Sequence, residues 1–398
     1  MQSEKPKSPN IKKGKADTLN KPLCSYRKKC GGCQLQNLSY ERQLSFKQVK
    51  AIKLLGKYCH VDEIIGMKNP YHYRNKVQAA YSEKNGEIIS GVYQSSTKTI
   101  VAVDSCMTED ILADEIIITI RKLLKSFKLR PFNSATNKGF LRHVLVKRGF
   151  STNQTMVVLV TAITEFKSSA KFISALLNRH PEITTIVQNI NADYNGLMLG
   201  EKTVVLYGDG YIEDVLCDLK FRISPKAFYQ INPYQTEVLY NKAIEFAGLS
   251  GKEKLLDAYC GTGTIGIIAS KNAAVVVGVE LNPDSVKDAL QNAKLNNTQN
   301  IEFYEADAGD FMVESAAMGE KFDVVIMDPP RAGASLDFLR SLVKLSPPKI
   351  VYISCNPQTQ SRDLSFLTRK GYKVEKIQPI DMFPHTEHVE TVALLNKK

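Results

Sequence analysis

From about residue 223 onward, short apolar runs rich in β-branched residues alternate with stretches long enough to hold a helix. The runs are Leu255–Tyr259, Val275–Leu281, Ile301–Ala306, Phe322–Met327 and Lys349–Ser354. Among the intervening segments Asp284–Leu295 has helical periodicity, and Pro283 marks its start. Near-continuously apolar strands separated by helices imply a largely parallel sheet covered on both faces. The last two runs, Lys373–Gln378 and Thr391–Leu395, have only a loop between them and must pair antiparallel at the sheet edge. Residues 71–222 read differently, as an α+β unit. Its strands are expected at Lys76–Tyr81, Ile88–Tyr93, Val144–Lys147, Met156–Thr161 and Thr184–Asn189, with helices near Asp110–Phe127 and Ser168–Arg179. Residues 309–320 read as a loop. The predicted fold class is therefore α/β: a mostly parallel seven-stranded C-terminal sheet with an antiparallel edge, preceded by an α+β domain.

Length agrees with this division, since 398 residues give room for two or three domains, each with its own core. No apolar run approaches the ~18 residues that span a bilayer, and the N-terminus lacks a signal-peptide stretch. A cytoplasmic protein without a membrane segment is expected. The formal charge of +12 is unevenly placed, because residues 1–30 hold nine Lys and Arg against two acids. Residues 1–22, with three prolines and no apolar periodicity, read as a disordered basic arm. The arm would add salt-sensitive affinity for an anionic partner without selecting a sequence.

Eight cysteines in such a chain point to metal binding or catalysis rather than disulfides. Cys24, Cys30 and Cys33 are closely spaced, and Gly31 and Gly32 allow the backbone to bring their thiolates together. Cys106, between a predicted strand at Thr99–Val103 and the next helix, is the candidate fourth ligand. Spacing alone leaves zinc and an iron–sulfur cluster both open. Cys59 and Cys217 read as packed thiols.

The first C-terminal strand runs into Asp257, Tyr259, Gly261, Gly263, Thr264 and Gly266, a glycine-rich turn where a strand feeds a helix. Glu280 ends the second strand and is placed to accept ribose hydroxyls. A dinucleotide and S-adenosylmethionine (SAM) both suit this pattern. SAM is favoured by Asp257 before the glycines, by Asp307 at the end of the third strand, and by the rigid Asp328-Pro329-Pro330-Arg331 turn after the fourth.

The fifth strand leads to Cys355, and Glu390 lies at the start of the last run, so both fall on the rim where open sheets react. A thiol, a carboxylate and SAM suit methylation of carbon 5 of a pyrimidine. Thiolate addition to carbon 6 makes carbon 5 nucleophilic, and a base must later remove its proton. Uracil is favoured. Arg331 stands where adenine-N6 enzymes place an aromatic residue, and the loop lacks the cysteine common in RNA cytosine-5 enzymes.

These motifs, together with Phe228, Gln230 and Asn232 and the stretch Pro384–Glu390, resemble those of the RNA uracil-C5 methyltransferases. The nearest resemblance is to the iron–sulfur-containing 23S rRNA branch. The matching residues are collinear from Cys24 to Glu390. The resemblance implies a class I SAM-dependent methyltransferase domain over 223–398, a central RNA-binding domain over 71–222, and an iron–sulfur segment over 23–70 completed by Cys106. It further implies Cys355 as nucleophile and Glu390 as proton-removing base. Gln230, Tyr259, Gly261, Gly263, Thr264, Glu280, Asp307 and Asp328 would line the SAM and target-base site. Cys24, Cys30, Cys33 and Cys106 would hold a [4Fe-4S] cluster. The partner implied is RNA, 23S rRNA before tRNA, acted on by a monomer. The chain departs from many relatives by having a short basic arm where they carry a small β-barrel. In the central region Tyr71, Tyr73, Arg74 and Lys76, with Arg142 and His143, interleave aromatic and cationic groups suited to splayed RNA bases.

Overall fold

The computed structural model describes residues 23–95, 97, 99–192 and 197–398. The basic arm at 1–22 lies outside them. Two seven-stranded sheets organise the molecule.

The first is built from β1 (Lys76–Lys84), β2 (Glu87–Tyr93), β3 (Ile100–Ala102), β4 (Leu141–Arg148), β5 (Thr155–Thr161), β6 (Ile183–Ile190) and β7 (Lys202–Tyr207), in the order β3-β2-β1-β4-β5-β6-β7. All neighbours are antiparallel except β5 and β6, which the crossover helix Ser169–Leu177 joins in parallel. Helix Ile111–Ser126, capped by the Asp110 carboxylate on Ala113 N, covers one face with Ile116, Ile120 and Leu124. A hairpin of β8 (Ile212–Leu216) and β9 (Leu219–Ile223) follows. Its turn residues Cys217 and Asp218 both have positive φ, 51° and 61°. Cys217 is thus a turn residue, although its apolar neighbours read as strand.

The second sheet is formed by β10 (Lys254–Ala258), β11 (Val275–Glu280), β12 (Ile301–Glu305), β13 (Val324–Met327), β14 (Lys349–Ser354), β15 (Tyr372–Ile380) and β16 (Glu390–Lys397). The order is β12-β11-β10-β13-β14-β16-β15. The first five are parallel, and β16 runs antiparallel between β14 and β15, so of the last two strands β15 alone is an edge, opposite the β12 edge. Residues 309–320 are not a loop. Helix Ala308–Met318 fills most of that span, its start capped by Asp307 on Gly309 N and Asp310 N and its inner face anchored by Met312.

Helix Tyr40–Leu55 has no counterpart in the sequence reading, because two of its four buried positions, Gln43, Lys47, Ala51 and Leu55, are polar. The segment after it runs beside β15, with Asp62 N on Ile377 O (2.9 Å) and Ile65 N on Pro379 O (3.0 Å). The edge strand is thereby covered. A single apolar core joins the two sheets: Leu145, Met156 and Val158 of the first pack in the same cluster as Leu239, Leu255 and Ile353. Among the described residues no helix is long and apolar enough to cross a membrane.

Candidate active site and a cysteine-lined cavity

The C-terminal rim of the second sheet is shaped by residues that break the strand conformation. After β10 the backbone turns left-handed at Tyr259 (φ 67°), Gly261 (56°) and Gly263 (78°) before helix Thr264–Ser270. Gly266 is needed there, since a side-chain carbon on it would sit 3.0 Å from Asp257 Oδ2. That oxygen accepts the Gly266 N–H at 2.7 Å, while Asp257 Oδ1 is buried with no hydrogen-bond partner. Burial, opposed by the Gly266 bond and reinforced by Asp328 and Glu280, pushes the Asp257 carboxyl up to about 8. Glu280 braces the turn by accepting from Gly261 N (3.0 Å) and Asn282 N (2.8 Å).

Around this turn stand most of the residues expected at a cofactor site. The Tyr259 ring lies 5.4 Å from that of Phe338. Thr264 Oγ1 is 3.5 Å from the hydroxyl of Tyr240, which also bonds to the Gln230 side chain and feels Asp328 and Asp257. Tyr240 therefore ties three expected site residues together, yet in the sequence it is one more apolar position of a helix. Asp307 is exposed at the rim and used as a helix cap. The residues suit SAM: a side-chain carbon at Gly261 would meet nothing within 4 Å, and Asp257 keeps an unpaired oxygen.

Cys355 and Glu390 are brought together by register. Ser354 of β14 pairs with Thr391 of β16, so the next residue outward on each chain, Cys355 and Glu390, flank one another at the strand ends. Burial pushes the Cys355 thiol up to about 11, the Glu390 and Asp328 carboxylates add to this, and Arg331 opposes them. Glu390 is 6% exposed. Its carboxyl is held well above the usual range by burial and then by Asp328, again with Arg331 opposing. Burial raises Asp328 to about 7. Arg331 is the cation facing this acidic group, and its carbonyl is gripped by Asn356 Nδ2 (3.1 Å) and Thr359 Oγ1 (3.2 Å). A cleft of about 160 Å³ opens here, lined by Lys50, Arg331, Cys355, Asn356, Glu387 and His388.

The loop leading to Glu390 is clamped by Tyr40, Gln43 and Lys47, which the sequence reading left aside, and by Tyr73. Lys47 Nζ meets Asp381 Oδ1 at 2.5 Å with both side chains fully buried, and also donates to Phe383 O at 2.9 Å. Tyr40 donates to Asp381 Oδ2 (2.9 Å), His385 N to Gln43 Oε1 (2.8 Å), and Tyr73 to Pro384 O (3.0 Å). Tyr73 is 0% exposed, so it is a core residue and does not stack on an RNA base.

Cys24, Cys30, Cys33 and Cys106 line one cavity of about 240 Å³, together with Arg74 and Tyr26. All four are free thiols. Burial raises Cys33 to about 11, with Arg74 opposing, and Cys106 to about 12. Among the described residues no three His, Cys, Asp or Glu side chains group closely enough to hold a single metal ion.

The strand order and the carboxylate–glycine rim define the class I SAM-dependent methyltransferase fold. A family model described as tRNA (uracil-5-)-methyltransferase matches residues 39–398. An uncharacterised RNA methyltransferase of Clostridium acetobutylicum is 42% identical over 390 residues, covering 96% of this chain and 85% of the relative. One from Oceanobacillus iheyensis is 41% identical over 383 residues, covering 95% and 83%. The structure of Pyrococcus abyssi tRNA (uracil-54, C5)-methyltransferase in complex with S-adenosyl-L-homocysteine matches with a TM-score of 0.78 and 31% identity, over 92% of this chain and 85% of that one. The chain belongs to the tRNA (uracil-5-)-methyltransferase family and is an RNA methyltransferase.

Proposed function

We propose that the protein methylates carbon 5 of a uridine in RNA through a covalent adduct with Cys355. The observation that carries this is the strand register that sets the buried Glu390 beside Cys355, which itself lines the rim cleft. The target base must leave its stack to reach that cleft. Deprotonated Cys355 adds to carbon 6 of the uracil and makes carbon 5 an enolate. When bound at the Asp257–Glu280 rim, SAM supplies the electrophilic methyl group that this carbon takes up. Glu390, as the carboxylate, removes the remaining carbon-5 proton, and the C6–S bond breaks to release 5-methyluridine and the thiolate. Arg331 favours the anionic forms of both groups. Gln230, Tyr259, Gly261, Gly263, Thr264, Glu280, Asp307 and Asp328 are assigned to the SAM and target-base site.

For the substrate we favour 23S rRNA, on the resemblance carried by the four cysteines. The likeness to a tRNA enzyme favours tRNA as the second reading. Mapping 5-methyluridine in both RNAs from a strain lacking the gene separates them: one mapped position disappears, in 23S rRNA on the first reading and in tRNA on the second.

We assign Cys24, Cys30, Cys33 and Cys106 to a [4Fe-4S] cluster. A cubane is held at its corners, so its ligands surround a void rather than meet at one point, and these four line such a cavity. Protein purified without oxygen should carry iron and acid-labile sulfide and absorb near roughly 400 nm. Cys106→Ser should lose that band. Stoichiometric zinc without iron would reject the assignment.

A further inference from the structure

In the proposed reaction the bond to Cys355 forms at carbon 6 of the uracil. Carbon 6 is bonded to N1, the ring nitrogen that carries the ribose, so a base held at Cys355 brings its sugar and flanking phosphates to the same cleft. Uracil is neutral, and those phosphates carry the negative charge of the nucleotide. A cation in that cleft has a phosphate as its natural partner.

Lys50 supplies one from outside the catalytic sheet. It lies on helix Tyr40–Leu55, which the fully buried Lys47–Asp381 pair, three residues earlier, pins to the 381–385 loop. Its Nζ donates to Glu387 O at 2.9 Å, beside the cleft that Cys355 also lines. The acceptor is a neutral carbonyl, so the bond holds the ammonium in place without cancelling its charge and leaves two of its protons to donate elsewhere. Arg331 is a second cation of the same lining, its Nη2 3.4 Å from His388 Nε2. Both cations bear on His388: burial, then Arg331 and Lys50, push that ring below its ordinary value, with Glu387 opposing. The ring is thus neutral at physiological pH, and its Nε2 can accept from Arg331. Glu387, the acid among the described lining residues, is exposed, where water screens its carboxylate.

We propose that Lys50 binds a phosphate flanking the target uridine and, with Arg331, holds the flipped nucleotide by its backbone while Cys355 attacks the base. This role rests on the uracil-C5 reading and deepens it, since it makes Lys50 a substrate-binding residue of the same cleft. A phosphate contact positions without reading sequence, so Lys50 fixes where the uridine sits and leaves the choice of RNA to other contacts. Helix Tyr40–Leu55 then has two tasks: Lys47 steadies the loop that feeds Glu390, and Lys50 meets the substrate beside it.

The test uses the full-length protein, SAM, and 23S rRNA and tRNA transcripts made with 5-fluorouridine. Fluorine at carbon 5 cannot leave as the proton does, so the methylated base stays bonded to Cys355 and the adduct is read by denaturing electrophoresis. Lys50→Gln should raise the RNA concentration for half-maximal adduct formation about ten-fold at low salt. It should also lower the slope of that concentration against salt, both as logarithms, by about 0.7, the loss of one phosphate contact. Lys50→Arg should restore both. Lys252→Gln, at an exposed lysine ahead of β10 and so at the end of the sheet away from the rim, should change neither. Unchanged values for Lys50→Gln, or equal changes for Lys252→Gln, with adduct still formed, overturn the role of Lys50 alone. No adduct between the native protein and either RNA overturns the uracil reading and this role with it.

Discussion

Cys355→Ala protein will make at least about a thousand-fold less 5-methyluridine than the native enzyme, because without the thiolate carbon 5 of uracil stays unreactive. Glu390→Gln will fail differently. It can still add to carbon 6, but the glutamine cannot take the carbon-5 proton, so a protein–RNA adduct stable to denaturing electrophoresis should accumulate. Clean turnover by Glu390→Gln would remove it from the role of base. The electrostatics add a sign. In the proposed mechanism Cys355 must be ionised to attack and Glu390 ionised to accept a proton, and burial raises the pKa of both. The rate should therefore rise with pH from about 6 to about 9, because each increment increases the reactive anionic forms. Arg331→Ala removes the cation that opposes both shifts, so its pH profile should move to higher pH. A profile that falls over that interval would contradict these assignments.

Lys47→Met should be the most damaging change away from the chemistry. It leaves the Asp381 carboxylate fully buried with only Tyr40 as a neutral side-chain donor, a loss of about 3–5 kcal/mol by chemical denaturation. Changing both partners, Lys47→Met with Asp381→Asn, removes the stranded charge and should recover part of the loss. Additive single losses would show that the pair is not coupled. Because Lys47 also holds Phe383 O, in the loop that feeds Glu390, the single variant should lose kcat even where it is still folded.

The parts legible from sequence were those where hydropathy and structure coincide. The buried parallel strands β10, β11, β13 and β14 declare themselves because both their faces are apolar, and the rim motifs follow from where they end. Helix Tyr40–Leu55 was hidden by the opposite circumstance: Gln43 and Lys47 are buried because they serve the loop at 381–385, a partnership more than three hundred residues distant that no local pattern can report. The same holds for Tyr73, whose aromatic-and-basic setting suggests RNA while its hydroxyl is spent on Pro384 O. Helix Ala308–Met318 reads as a loop because its buried face is made of small or polar Ala308, Gly309, Ser315 and Ala316 around a single large apolar residue, Met312. Cys355 and Glu390 could be placed on one rim from the sequence, and the β14–β16 register makes them neighbours there.

That register also bears on how the enzyme comes into being. The slot between β14 and β15 is filled by the strand that is synthesised last of the seven. During translation the nucleophile's strand emerges well before its antiparallel partner, and an open, apolar gap stays in the sheet until β16 docks. Closing that gap is a late, non-local event of the kind that slows folding and exposes sticky edges. The same event brings Glu390 to Cys355, so the proposed catalytic pair is assembled only on the finished fold, and a chain stalled before β16 carries Cys355 without the carboxylate proposed to complete the reaction.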